Sequence, residues 1–134
     1  PESGSRIVVD VTKGGDPQKL NTAIEKAARF VNIYHGAGRQ PADVEITLVL
    51  HGDATLAVLN PDAYSKHFDT SSNPNLECLS QLHEAGVDIC VCGQSLISKG
   101  ASPDDVVVFA EVAVSALTSL VNLQADGYAY VPLK

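Results

Sequence analysis

The chain has 134 residues, a formal net charge of −7 and no cluster of Lys or Arg. Its length fits one domain around one core, and its charge argues against docking on a nucleic-acid backbone or an anionic membrane surface. Hydrophobic residues make up 45% and aromatics only 5%, with no Trp, so an aliphatic globular core is expected rather than disorder.

"RIVVDVT" (Arg6 to Thr12) is short, Val-rich and β-branched, which predicts a strand in the interior of a sheet. "KGGDPQ" breaks it, and Asp16 with Pro17 reads as an N-cap and first-turn pair. Leu20, Ala23, Ile24, Ala27, Val31 and Tyr34 then recur at helical spacing until Gly36 and Gly38 stop the run. "VEITLVL" (Val44 to Leu50) predicts a second strand. After it, Asp53 can cap a short helix and Asn60–Pro61 can start another. "DTSSNPN" is a loop, and Asn73–Pro74 opens a helix whose inward face is Leu76, Leu79 and Leu82, ended by Gly86.

"VDICVC" (Val87 to Cys92) predicts a third strand, and "GQSLISKG" one or two helical turns closed by Gly100. The stretch from Ser102 to Gly127 reads in two ways. One is a single long helix capped by Ser102 and Pro103. The density of Val favours the other, a turn at Pro103 to Val107, a short strand near Glu111 to Val114, and a helix from Ser115 to about Ala125. "GYAYVPL" (Gly127 to Leu133) predicts a last strand, at an edge because of Pro132. Strands alternating with helices predict an α/β fold with a mostly parallel sheet of about five strands. Residues 6–134 form one domain in this reading, and "PESGS" (residues 1–5) a polar tail.

No apolar run reaches the roughly 18 residues of a membrane helix, so no membrane insertion is expected. The chain contains no Met, so Pro1 is not a translation start as written: either an initiator was removed before it, or a longer N-terminus, which could hold a targeting segment, preceded it. Three cysteines are too few, and odd in number, for a disulfide scaffold. They suit a reduced setting, or an exported protein with at least one thiol left over.

In an open parallel α/β sheet, sites form beyond the carboxyl ends of the strands. Here those ends give "KGGD", "HGDAT" with His51 leading, and Cys92 followed by "GQS". His51 and Cys92 therefore share one rim. Gly93 permits a close backbone approach, and Gln94 or Ser95 helps start the next helix, whose N–H groups point back at the sulfur. Such a place favours thiolate or persulfide sulfur, although cysteine is also among the most buried residue types. Cys90, two residues earlier, lies on the same face of the strand but deeper, and reads as a small core residue. Cys78 lies off the leucine face of its helix, half exposed. Cys90, Cys92 and His51 could also make a soft-metal site, but they fall short of a closed zinc set. No metal or cofactor is expected.

The remaining candidates read more simply. His35, His51, His67 and His83 recur every 16 residues, but no repeat of that period accompanies them. His35 and His83 suit the last turns of helices, and His67 a solvated face. Asp104 and Asp105 read as acids at a helix start. G-x-S-x-G, Walker and G-x-G-x-x-G motifs are absent from the sequence.

With these residues in view, the sequence resembles the DsrE/DsrF-like family of sulfur-relay proteins. "VDICVCGQSLISKG" matches the family's apolar strand ending in cysteine, short helix and glycine eight residues later, with Cys92 and Gly100 in those places. "NPNLECLSQLHEAG" is similar to the preceding helix, and "VAVSALTSLVNLQADGYAYVPL" to the closing strand, helix and strand. The resemblance runs from about Arg6 to Leu133. It implies a three-layer, flavodoxin-like sandwich and homo-oligomers, trimers or hexamers. It also implies a sulfur-donor or acceptor protein as partner, with Cys92 carrying sulfur as a persulfide. No residue besides Cys92 carries over; His51, Gly93, Gln94 and Ser95 are expected around that sulfur from their places at the strand ends. Relay members usually carry basic residues before the glycine, whereas here only Lys99 is basic. "CGQSL" with "HGDAT" looks more like a stand-alone subgroup, often made with a secretion signal, which implies a periplasmic location.

Overall fold

The computed structural model describes residues 5–36, 44–113, 125 and 129–133. Its strands are β1 (Ser5–Val11), β2 (Val44–Leu50), β3 (Asp88–Cys92), β4 (Ala110–Ala113) and β5 (Ala129–Leu133). They form one sheet in the order β4-β3-β2-β1-β5, and every pairing is parallel. The helices are α1 (Thr22–Gly36), α2 (Pro61–Phe68), α3 (Leu76–Glu84) and the short α4 (Gly93–Ser98). Two 3-10 helices, Gly52–Val58 and Pro103–Asp105, complete the described elements. The fold is α/β, as the alternation of strand and helix patterns predicts.

Strand alternation sorts the sheet into two faces. Val9, Val11, Leu48, Leu50, Ile89 and Val91 join the main core. There they meet Ala23, Ile24, Ala27 and Val31 of α1 and Leu79 and Leu82 of α3, all buried. The helix faces expected from spacing are thus the faces that pack, because residues three and four apart share one side of a helix, except that Leu76 at the start of α3 is only half-buried. The opposite sheet face carries Val8, Asp10, Val49, Cys90 and Cys92, the residues of the intervening positions. Val8, Val49 and Cys92 form a small cluster of their own, with Cys90 packed against it.

Several boundaries differ from the sequence reading. Asp16 and Pro17 do not start α1. Asp16 instead holds a turn, its carboxylate accepting from Gln18 N–H at 2.9 Å and its carbonyl from Lys19 N–H at 3.0 Å. The cap of α1 is Asn21, whose Oδ1 accepts from Ala23 and Ile24 N–H at 2.9 and 3.2 Å. Asn can cap from inside a buried loop where Asp would bring an uncompensated charge. Asp53 lies in the first turn of its 3-10 helix, after His51 in the cap position. Asn73 does not open α3, which starts at Leu76 after Asn75. Strand β4 removes the single-long-helix reading, and Ser102 with Asp105 forms a reciprocal capping box on a three-residue helix instead. Ser5, placed in the tail by composition, belongs to β1. The rest of that tail, the helix expected over Ser115 to Ala125 save its last residue, and the side chain of His35 lie outside the described residues. Pro132 does sit on an edge strand, β5.

Local capping makes one direct prediction. Asn60 Oδ1 accepts from Ala63 N–H at 2.9 Å, and Pro61 follows in the first turn of α2. Asn60→Ala should destabilise the protein by about 1 kcal/mol in equilibrium unfolding, and Asn60→Asp by much less.

Candidate functional site

Strand β2 ends at Leu50, yet His51 is still extended (φ −144°, ψ 175°) and its N–H bonds Val11 C=O at 3.0 Å. The chain then turns at Gly52, which has φ +59° and would bring a Cβ within 3.3 Å of Thr12 C=O. Only glycine suits that combination. Gly52 N–H is thereby aimed at Ser95 Oγ, 3.1 Å away on α4. Thr55 Oγ1 closes the same turn by donating to Gly52 C=O at 2.8 Å.

Strand β3 runs directly into α4, with Cys92 as the N-cap. Its Sγ accepts from Ser95 N–H at 3.5 Å, so one orphan donor of the helix start points at sulfur. Ser95 therefore links the two rim segments, its N–H to Cys92 and its Oγ to Gly52. Gly93 is buried under this turn, whereas Gln94 is exposed. Lys99, just past α4, forms an ion pair with Asp53, tying the end of α4 to the segment after β2. Gly100 follows with φ +84°, the left-handed residue that stops the helix.

Cys92 is only 4% exposed, while Cys90 is half-buried. This reverses the order expected from depth along the strand. Cys92 packs with Val8 and Val49 and lies beneath the first turn of α4, whereas Cys90 shares its register row with Glu111 of the edge strand β4. Cys78 is half-buried on α3. Burial first, then the charges of Glu25 and Glu77, push its thiol above the usual cysteine value. No disulfide joins the three.

The site contains a second set of residues that the sequence reading did not single out. Asp10 of β1 is 5% exposed. One of its carboxylate oxygens meets His51 Nε2, and the other accepts the Tyr130 hydroxyl of β5. Two donors thus satisfy a buried carboxylate that would otherwise be costly. The hydrogen bond to Asp10, with smaller contributions from burial and the Asp10 charge, raises the Tyr130 phenol above its ordinary value. Tyr130 therefore remains a donor throughout the neutral range. The available signal was an acid inside the apolar run "RIVVDVT"; nothing local marked Tyr130.

Among the described residues, no group of three or more His, Cys, Asp or Glu is placed to hold a metal ion. Cys90, Cys92 and His51 do not form such a group. A cleft of about 320 Å³ lies nearby, lined by Gly14, Asp53, Leu56, His67, Phe68 and Lys99. Cys92 and His51 are not among its lining residues. His67 is exposed and meets the Phe68 ring edge-on at 4.8 Å; His83 stacks on Phe109 at 5.4 Å.

The sequence model of the DsrE/DsrF-like family matches residues 6–133, nearly the whole chain. The chain belongs to the DsrE/DsrF-like family. Two solved structures share this family fold. MTH1491 from Methanobacterium thermoautotrophicum, described as a protein of unknown function, has a TM-score of 0.68 at 20% identity, over 96% of this chain and 99% of that one. The ychN protein from E. coli has a TM-score of 0.65 at 16% identity, over the same shares. At these identities the likeness speaks to the fold. Comparison with the curated proteins gives no match. No helix among the described residues is long and apolar enough to cross a membrane.

Proposed function

We propose that this DsrE/DsrF-like protein handles sulfur, with Cys92 accepting sulfane sulfur as a persulfide and passing it to a protein or small-thiol acceptor. The observation that carries the reading is the placement of Cys92. It closes a strand at the carboxyl rim, receives Ser95 N–H on its sulfur, and stands on the strand next to β2, which His51 follows. A donated hydrogen bond favours the anionic form of sulfur over the neutral one. Family membership supports the same chemistry. At 4% exposure, the thiol is reached by a small donor or through local opening of α4, a helix of six residues. The proposal retains the resemblance's other expectations, self-assembly into trimers or hexamers and export to the periplasm.

The test is peptide-resolved mass spectrometry after incubation with inorganic polysulfide at neutral pH. One added sulfur atom is expected on the peptide containing Cys92. Cys78 serves as the internal control. Its raised thiol stays protonated at neutral pH and becomes a good nucleophile only above the ordinary cysteine range. Sulfur found on Cys78 but not on Cys92 would overturn the proposal.

A further inference from the structure

We propose that Asp10 and Tyr130 are positioning residues that hold His51 as the base for Cys92. The inference rests on the reading of Cys92 as the sulfur-carrying thiol and adds the group that takes its proton.

The sheet register brings the parts together. Val11 pairs with Leu50, and Leu50 with Val91. One step further along the same strands sets His51 beside Cys92. The step is valid because His51 is still extended and still bonded to Val11 C=O. Neighbouring strands lie about 4.8 Å apart, and residues in one row of a parallel pair face the same way. Asp10 lies one same-face row earlier on β1, level with Val49 and Cys90. Tyr130 lies one row earlier again on β5, level with Val8.

The hydrogen bonds then assign the tautomer. A carboxylate only accepts, so the His51 nitrogen that meets Asp10, Nε2, carries the hydrogen. The neutral ring keeps its lone pair on Nδ1. The two ring nitrogens point in roughly opposite directions, so with Nε2 turned to β1, Nδ1 is left for the β3 side. Tyr130 donates to the second Asp10 oxygen and fixes the carboxylate's rotation. The charged and titratable groups around the pair are, among the described residues, these. Asp10 comes from β1, Tyr130 from β5, and Cys90 from β3. Glu111 of β4 lies at the far end of Asp10's row. The Asp53–Lys99 ion pair flanks the rim.

The step is balanced. With a persulfide donor R–S–SH, the Cys92 proton passes to His51 Nδ1 and the thiolate attacks the terminal sulfur. The Cys92 S–S bond forms as the donor S–S bond breaks, and the departing R–S⁻ recovers the proton from His51. Cys92–SH and R–S–SH become Cys92–S–SH and R–SH, with no net change in electrons. During transfer the imidazolium is paired with the Asp10 carboxylate.

The experiment is the pH profile of iodoacetamide alkylation at Cys92, read peptide by peptide in the intact chain. Burial slows the reaction and itself raises a thiol's pKa, but it is common to the wild type and the variants, so the displacement of the profile between them reports the His51–Cys92 pair. In the wild type the rate should rise at a pH below the free-thiol reference of about 8.5. His51→Gln should move the rise up to that reference and lower the neutral-pH rate about 100-fold. Asp10→Asn should do the same by about 10-fold or more, because an amide can donate to Nε2 and put the hydrogen on Nδ1. Tyr130→Phe should shift the profile in the same direction by less. It is a near-isosteric change at a partly exposed edge-strand position, and it carries the test if Asp10→Asn fails to fold. Wild-type profiles in all three variants would overturn the inference. If Cys92 still takes up sulfur in those variants at the wild-type rate, only the role of His51, Asp10 and Tyr130 falls. If wild-type Cys92 takes up none, the sulfur reading falls, while the alkylation profile still decides the pair.

Discussion

Cys92→Ser protein is expected to fold normally and to take up no sulfane sulfur, a complete loss in the mass-spectrometric measurement. The fold should survive because serine is among the preferred N-cap residues, and its hydroxyl can accept from Ser95 N–H as the sulfur does. The change removes one small buried group from the cluster with Val8 and Val49, a modest packing loss. Chemistry is lost outright, because a serine hydroxyl is neither ionised at neutral pH nor able to form a stable sulfane adduct. Cys90→Ser supplies the contrast. Cys90 lies inside β3, two residues before the start of α4, and level with Glu111 of β4. That variant should load sulfur at the wild-type level. Equal loss in the two variants would show that the strand end, rather than the Cys92 sulfur, was being tested.

Asn73→Ala is expected to destabilise the protein by about 3 kcal/mol in equilibrium denaturation. Asn73 is 8% exposed and donates through Nδ2 to Ala57 and Leu59 C=O at 2.9 and 2.8 Å. Its Oδ1 accepts from Asn75 N–H at 2.9 Å and from Asn75 Nδ2 at 3.1 Å. Asn75 Oδ1 in turn accepts from Asn21 N–H at 2.8 Å, and Asn21 Nδ2 reaches Lys13 C=O at 2.8 Å. These three buried amides tie the end of the 3-10 helix Gly52–Val58 to the starts of α3 and α1 and to the loop after β1. Removing the first strands two carbonyls and two donors away from water, each worth about 1–3 kcal/mol but sharing one relaxation. Asn73→Asp should be as harmful, since a carboxylate cannot donate to the two carbonyls and would be buried with its charge. A loss below about 1 kcal/mol would mean that water replaces the network.

Much of the fold was legible because its signals are local. β-branched runs, helical spacing of Ala, Ile, Leu and Val, and glycine stops placed β1, α1, β2, α3, β3 and α4 within a few residues. The exceptions have a common cause. Asp16–Pro17 is a good helix start by residue type, but Asn21 is the cap, because the buried contact between Asn21 and Asn75 decides where α1 may begin. Asn73 likewise reads as a helix opener and serves as a loop clamp. Short polar side chains serve caps and turns alike, and their partners decide which. The relative burial of Cys90 and Cys92 was misjudged for a similar reason. Depth along a strand says little when one end is roofed by a helix turn and the other row runs out to an edge strand.

By itself the sequence determined that a parallel α/β sheet would form, that Cys92 would end a strand against a helix start, and that His51 would share its rim. These follow from periodicity and from residues within a turn of one another. Only the tertiary structure decided that β2 and β3 are neighbours, and that β1 and β5 bring Asp10 to His51 and Tyr130 to Asp10. Strand order and register are set by which faces can be buried together across the whole sheet. Tyr130 and Asp10 are 120 residues apart, and no local pattern in either segment records that they meet.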